Sequence, residues 1–230
     1  MLDLNPSSHD RCDVGLAVHG LAAAEEPILL RGPGGLPAKE VAFDRDEEIY
    51  GESEPADYVY CVRRGAVRTF KLLRDGRRQI DAFHLPGEYF GLGARDSHLL
   101  SAEAVVETKV AIVKRRALEN MATHDAHTAC ALWRMAADEL RNAQEHMLLL
   151  GRRNAMERVI AFLLDMDRRL AVAGVLALPM SRRDIGDYLG LTLETVSRSL
   201  SALAEKGALH FSGSRHIMLK DRAQLQALTE

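Results

Sequence analysis

The chain has 230 residues, 47% of them hydrophobic and 27% charged, with a formal net charge of −3. That length suits one large domain or two modest ones, each able to bury a core, and the composition excludes collagenous, disordered and disulfide-dense classes. No apolar run approaches the ~20 residues of a bilayer span, so no membrane partner is expected.

The charge is unevenly spread. Residues 1–60 hold thirteen acidic and four basic side chains, whereas residues 152–230 hold twelve basic and nine acidic. A polyanion is therefore drawn to the C-terminal part and repelled by the N-terminal part. The opening residues, MLDLNPSSHDRCD, have no basic stretch followed by an apolar one, so no secretory signal is read there and a cytoplasmic protein is expected. Cys12, Cys61 and Cys130 are odd in number and widely spaced, and they read as reduced thiols.

Taken in chain order, residues 1–36 are an extension of mixed character that ends in the loop signal RGPGGLP (31–37). Residues 37–114 have β texture: short apolar runs alternate with turn signals, and Asp75-Gly76 marks a hairpin between AVRTFKLL and RRQIDAFHL. Strands at this spacing predict a small barrel or roll. Residues 115–151 contain no Pro, and no Gly before Gly151, and read as one long helix. Ala126, Ala129, Trp133, Ala136, Leu140, Ala143, Met147 and Leu150 recur in alternating steps of three and four. That is a heptad seam, and it predicts a dimer interface; packing on the helix's own domain is the alternative.

Residues 152–230 form the last unit. A helix over 155–173 precedes SRRDIGDYLGLTLETVSRSLSALAEK (181–206). Ser181 suits the cap of a first short helix, with Asp184 completing a capping box. Gly190 ends that helix, and Thr192 caps a second one. Two short helices joined by a glycine turn predict a helix-turn-helix. Gly213 then divides two alternating runs into a hairpin wing, whose tip either touches phosphate or is purely structural.

On the second helix Glu194, Ser197 and Arg198 stand at i, i+3 and i+4, on one side of the part of a recognition helix that enters the major groove. Arginine grips guanine bidentately, and a carboxylate accepts from cytosine. A solvated Glu194–Arg198 pair is the alternative. Ser181, Arg182, Thr192, Thr195 and Arg215 are candidate phosphate contacts.

A β-roll, a long helix and a winged helix-turn-helix in this order resemble the CRP/FNR superfamily of bacterial transcription regulators over residues 37–222. The most specific parts are LLLGRRNAMERVIAFLLDM and LPMSRRDIGDYLGLTLETVSRSLSALAEKG. The E-x-x-S-R pattern of Glu194, Ser197 and Arg198 resembles the FNR and FixK branches. Where the cyclic-AMP receptor branch has an Arg before the Glu, this chain has Leu193. The resemblance implies an α+β fold: a cyclic-nucleotide-binding-like, cupin-like β-roll, a dimerisation helix and a winged helix-turn-helix. It also implies a homodimer on double-stranded DNA, reading a palindrome of TTGA-like half-sites. Arg198 then sits on G, Glu194 on the paired C and Leu193 on a thymine methyl, and RNA polymerase is the further partner. From the FixK group it implies an activator of microaerobic and nitrogen-fixation genes.

Each signal that the family senses requires particular residues. The family's cyclic-phosphate pocket has a Glu after Gly and an Arg before Ser/Thr; here Leu92 follows Gly91 and Leu100 precedes Ser101, with Arg95 out of register. An iron–sulfur sensor needs about four thiolates, more than this chain offers in a cluster. His84, His98, His124 and His127 have no spacing that compels a haem or metal site. No cofactor and no enzymatic activity are expected. An effector-gated regulator, its roll holding a nucleotide, haem or other small ligand, is the competing reading.

Overall fold

In a computed structural model the structure describes residues 38–93, 96–151, 154–170, 175–213 and 216–228. The extension 1–36, Cys12, Arg95 and Arg215 lie outside them.

The first part is an antiparallel roll of eight strands: β1 (Lys39–Phe43), β2 (Glu48–Tyr50), β3 (Tyr58–Arg64), β4 (Val67–Leu72), β5 (Arg78–His84), β6 (Tyr89–Phe90), β7 (Ser101–Ala104) and β8 (Thr108–Lys114). They form two four-stranded sheets, ordered β1-β8-β3-β6 and β2-β7-β4-β5. Apolar residues cover both faces of the central strand: along β8, Val110 packs with Tyr60 and Phe90, and Val113, on the opposite face, packs with Val59 and Leu118. Aromatic rings fill the space between the sheets. Tyr60 stacks on Phe90 with centroids 5.1 Å apart, and Tyr50 stacks on His98 at 3.6 Å. The β4–β5 hairpin turns at Asp75-Gly76 as the sequence predicts. It is a three-residue loop, with the Gly76 amide donating to Leu73 O at 2.9 Å and the Leu73 amide to Arg77 O at 2.8 Å.

The single helix expected over 115–151 is two. α1 (Arg115–His124) ends at Asp125, and α2 (Ala126–Leu150) begins there. The break needs no Pro or Gly, because the Asp125 carboxylate accepts from the His127 and Thr128 amides at 3.2 and 2.9 Å and starts a new helix. One face of α2 lies against its own protomer, through buried Thr128, Ala131 and His146. The heptad seam lies on another face: Trp133 is 76% exposed, Leu140 61% and Met147 66%. Ala126, Ala136 and Ala143 are exposed, and Ala129 and Leu150 are half-buried.

α3 (Ala155–Leu170) follows, then β9 (Val175–Ala177), α4 (Arg182–Leu189), α5 (Leu193–Glu205), β10 (Leu209–Phe211), β11 (His216–Leu219) and α6 (Arg222–Ala227). The predicted two-stranded wing is a sheet of three, ordered β10-β11-β9. VLA of the expected connector pairs with β11, Leu176 opposite Ile217. One apolar core runs from the roll into this last part without a gap. It joins Phe70, Ile80, Phe83 and Leu85 to Phe162, Leu163, Met166, Leu189, Leu200 and Leu209.

Candidate nucleic-acid interface

The two helices of the reading head are set by their caps. Ser181 accepts from the Asp184 amide at 3.1 Å, and Asp184 Oδ2 accepts from the Ser181 amide at 2.9 Å, so the capping box is closed. Burial by itself raises the Asp184 carboxyl. The hydrogen bonds from Ser181 and the charges of Arg68 and Arg78 outweigh it and hold that carboxyl below its ordinary range. Gly190 turns the chain at φ 64°, and Thr192 accepts from the Thr195 amide at 3.2 Å to start α5. Ile185 and Leu189 of α4 and Val196, Leu200 and Leu203 of α5 are buried and lock the pair together.

What α5 leaves outside is the predicted face. Leu193 is 45% exposed, Glu194 and Arg198 are exposed, and Ser197 is half-buried. The Glu194 carboxyl is held below its ordinary range by backbone hydrogen bonding in the first helical turn, by the Thr192 hydroxyl and by Arg198. It is therefore a carboxylate acceptor at neutral pH. Arg182 donates to the Ser197 hydroxyl at 3.4 Å and lies over the Phe211 ring, 5.5 Å from its centroid, which ties the first helix to the second and to the wing. Thr192 and Thr195 share a hydrogen bond at 3.0 Å at the exposed start of α5. The Ser181 hydroxyl, a candidate phosphate contact, is already engaged within the capping box. Arg215, at the wing tip, falls outside the described residues.

The sequence reading missed a charge cluster behind the head. Arg78 donates to Asp187 Oδ2 at 3.0 and 2.9 Å and to Asp184 Oδ1 at 2.6 Å. Arg68, only 4% exposed, reaches Asp184 at 3.4 Å, Glu103 at 2.5 Å and Asp46 at 2.9 Å. Beside it the His146 ring stacks on Tyr188 at 3.9 Å and its Nε2 meets Tyr188 O at 2.9 Å. One local signal was present: Asp184, Asp187 and Tyr188 share a helix face. Their arginine partners lie more than a hundred positions upstream, and His146 lies 42 positions before Tyr188.

In the roll, the positions that the resemblance compares with a cyclic-phosphate grip, and Arg115 nearby, are engaged within the fold. Leu92 is half-buried against the cluster of Val59, Val113 and Leu118. The Ser101 hydroxyl accepts from the Glu52 amide at 3.0 Å. Arg115 spends its guanidinium on the carbonyls of Ala56, Leu92 and Gly91. A cleft of about 1170 Å³ between the roll, α2 and α3 is lined by His84, His98, Glu139, His146 and Tyr188 among others. Among the described residues no three His, Cys, Asp or Glu side chains come together as a metal site. His124 is bonded to Asn120 O and Thr123 within its own helix turn, across the Asp125 break from His127. Cys61 is buried, which pushes its thiol up to about 12; Cys130 is exposed on α2. No helix among the described residues is long and apolar enough to cross a membrane.

Comparison with known proteins places these features. Residues 157–228 match the Crp-like helix-turn-helix domain, and residues 40–125 match the cyclic nucleotide-binding domain. The nitrogen fixation regulation protein FixK of Azorhizobium caulinodans is 46% identical over 91% of this chain and 86% of its own length. The transcriptional activatory protein AadR of Rhodopseudomonas palustris is 39% identical over 84% of this chain and 83% of its own. The solved structure of FixK2 from Bradyrhizobium japonicum superimposes with a TM-score of 0.82 at 63% identity, covering 85% of this chain and 98% of that one.

Proposed function

The chain belongs to the CRP/FNR family of transcription regulators, on its FixK side, and from that premise we propose that it acts as a homodimeric activator reading a two-fold DNA site with α5. The observation that carries the proposal is the trio of exposed Glu194 and Arg198 with half-buried Ser197 on the first two turns of a helix whose opposite face is buried. Arg198 takes G, Glu194 accepts from the paired C and Leu193 meets a thymine methyl. Arg182, Thr192 and Thr195 flank that face and hold the phosphates. Two such heads are brought together along Ala129, Trp133, Ala136, Leu140, Ala143, Met147 and Leu150, so half-sites about one helical turn apart face one dimer. The half-sites are TTGA-like, after the FNR and FixK pattern. The activator role rests on relatives named for transcriptional activation, and RNA polymerase as partner follows from that role. The nitrogen-fixation setting rests on relatives named nitrogen fixation regulation proteins, and the microaerobic setting on the resemblance to the FixK group alone.

The roll works without a cyclic nucleotide in this proposal. Leu92 and Leu100 stand where that ligand needs Glu and Arg, and an apolar side chain offers a cyclic phosphate no charge. Control then lies in the amount of protein rather than in a small ligand.

Selection of bound duplexes from a random pool, with and without cyclic AMP, tests both points. A palindrome with TTGA-like halves, recovered equally in both arms, is the expected result. Arg198→Ala should cost about 1–3 kcal/mol per half-site on the selected duplex and relax choice at one base pair. An equal loss on scrambled DNA would make Arg198 a phosphate contact only.

A further inference from the structure

The charge cluster behind the reading head is not explained by DNA reading. Asp184 and Asp187 put two carboxylates on the first helix of a unit that must approach a polyanion, where unpaired acids cost affinity. Both point instead at the roll, and arginines of two neighbouring strands meet them. Arg78 of β5 spans the two carboxylates, and Arg68 of β4 braces Asp184 from behind while itself held by Glu103 and Asp46. All of these side chains except Asp46 are less than a quarter exposed, so solvent screens the pairs weakly. Gln79 and His146 add two contacts to Tyr188 O, at 3.4 and 2.9 Å.

The consequence lies in the geometry of α4. One of its faces, Ile185 and Leu189, is buried within the head with α5; another, Asp184, Asp187 and Tyr188, is fixed to the roll. The Leu191 amide donates to Gly186 O at 2.9 Å and keeps the turn between the two helices short. A helix gripped on both sides cannot rotate, so α5 cannot rotate either. In this setting Glu194 and Arg198 are open to solvent.

We infer that Arg78 and Asp187, with Arg68 and Asp184 behind them, are positioning residues that fix the rotation of the reading helix relative to the roll, and so set DNA affinity without touching DNA. The inference rests on the proposal that α5 reads DNA. Asp187 is the partner to perturb, because Asp184 also caps α4 and its loss would unwind the helix.

The test uses the full chain with Arg78→Glu, Asp187→Arg, the two combined, and the near-isosteric Asp187→Asn. Two quantities are read: affinity for the selected duplex by fluorescence anisotropy, and hydrogen exchange of the α4 and β5 amides. Each charge reversal should weaken binding by about tenfold or more and speed exchange in α4, with Asp187→Asn between it and the unaltered chain. The double reversal should recover part of both losses and exceed either single reversal, because it rebuilds the 78–187 pair with opposite polarity while the new carboxylate at 78 still faces Asp184 and Glu103. Single variants that bind and exchange like the unaltered chain would overturn the inference, as would a double variant no better than the singles. If the unaltered chain fails to distinguish selected from scrambled duplex, the base-reading proposal falls by itself. The exchange rates of the swap then decide alone whether the charge pair holds α4.

Discussion

Leu140→Glu separates the exposed seam of α2 from every other reading of that helix. In one protomer Leu140 is 61% exposed, so replacing it removes almost no packing, and the cost to the fold should stay within about 0.5 kcal/mol. In a two-fold seam the same position meets its own copy. Full burial of a leucine side chain gives about 1.5–3 kcal/mol, so burying the exposed part of two gives roughly 3 kcal/mol, all of it lost. Two carboxylates facing each other at about 6 Å, with an effective dielectric constant near 20, repel by roughly 3 kcal/mol more. The sum, about 6 kcal/mol, raises the dimer dissociation constant by about four orders of magnitude at 1.4 kcal/mol for each factor of ten. Sedimentation velocity at micromolar concentration should therefore show monomers, while circular dichroism and the urea midpoint stay as before. Affinity for the two-half-site duplex should fall to that of a single half-site. A variant that still sediments as the unaltered dimer would refute the seam as the interface; a variant that loses its helical signal would refute the claim that Leu140 does not support the protomer.

Two further expectations concern the roll. Gly65→Ala should cost about 3–5 kcal/mol in urea unfolding, because at φ 89° its new Cβ would lie 2.5 Å from Thr108 Oγ1 and 2.6 Å from Glu107 O. Gly76→Ala, at φ 82° with no atom within 4 Å of the new Cβ, should cost only about 1 kcal/mol, and equal losses would sink the steric account. Stability should also fall on mild acidification. Burial, helped by Arg169, lowers the His84 imidazole to about 3, and His98 is lowered in the same sense, whereas an unfolded histidine titrates near 6.5. The unfolded chain therefore takes up protons that the folded chain refuses. The stability from these rings is full above pH 6.5 and is lost as pH falls, by roughly 1 kcal/mol for His84 between pH 7.5 and 5.5. His84→Gln, which keeps a partner for the Thr69 hydroxyl now 3.2 Å from the ring, should flatten that slope in urea midpoints; an unchanged slope would remove His84 as its source.

What could be read from the sequence was what is encoded within a few residues. Ser181 with Asp184, Gly190 and Thr192 are local instructions, and each forms as written. Asp75-Gly76 fixes a hairpin for the same reason. The 3,4 spacing on α2 reports a face, and that face is exposed from Trp133 to Met147. The break at Asp125 was legible in principle, since an aspartate followed by Thr128 is a cap signal, but the absence of Pro and Gly hid it. Pairing across long separations was not legible. β9 joins the wing because Leu176 meets Ile217, and nothing near VLALPM says so. The second, inner stripe of α2 includes His146, a polar residue whose burial depends on Tyr188 of a distant helix. The Arg78–Asp187 pair spans 109 positions, and charges in solvated-looking runs carry no label for their partners.

The core that passes unbroken from the roll into the head has a consequence for how the molecule comes apart. Phe83 of β5 packs edge-on to Phe162 and lies 5.3 Å from the Tyr188 ring, so the roll supplies one wall of the compartment that the head needs closed. A head excised at residue 152 would carry an open apolar wound where Phe83 and Ile80 had been, and two stranded aspartates beside it. The head is thus not a portable module for fusion to other proteins, and in a calorimeter roll and head should melt together as one heat-absorption peak.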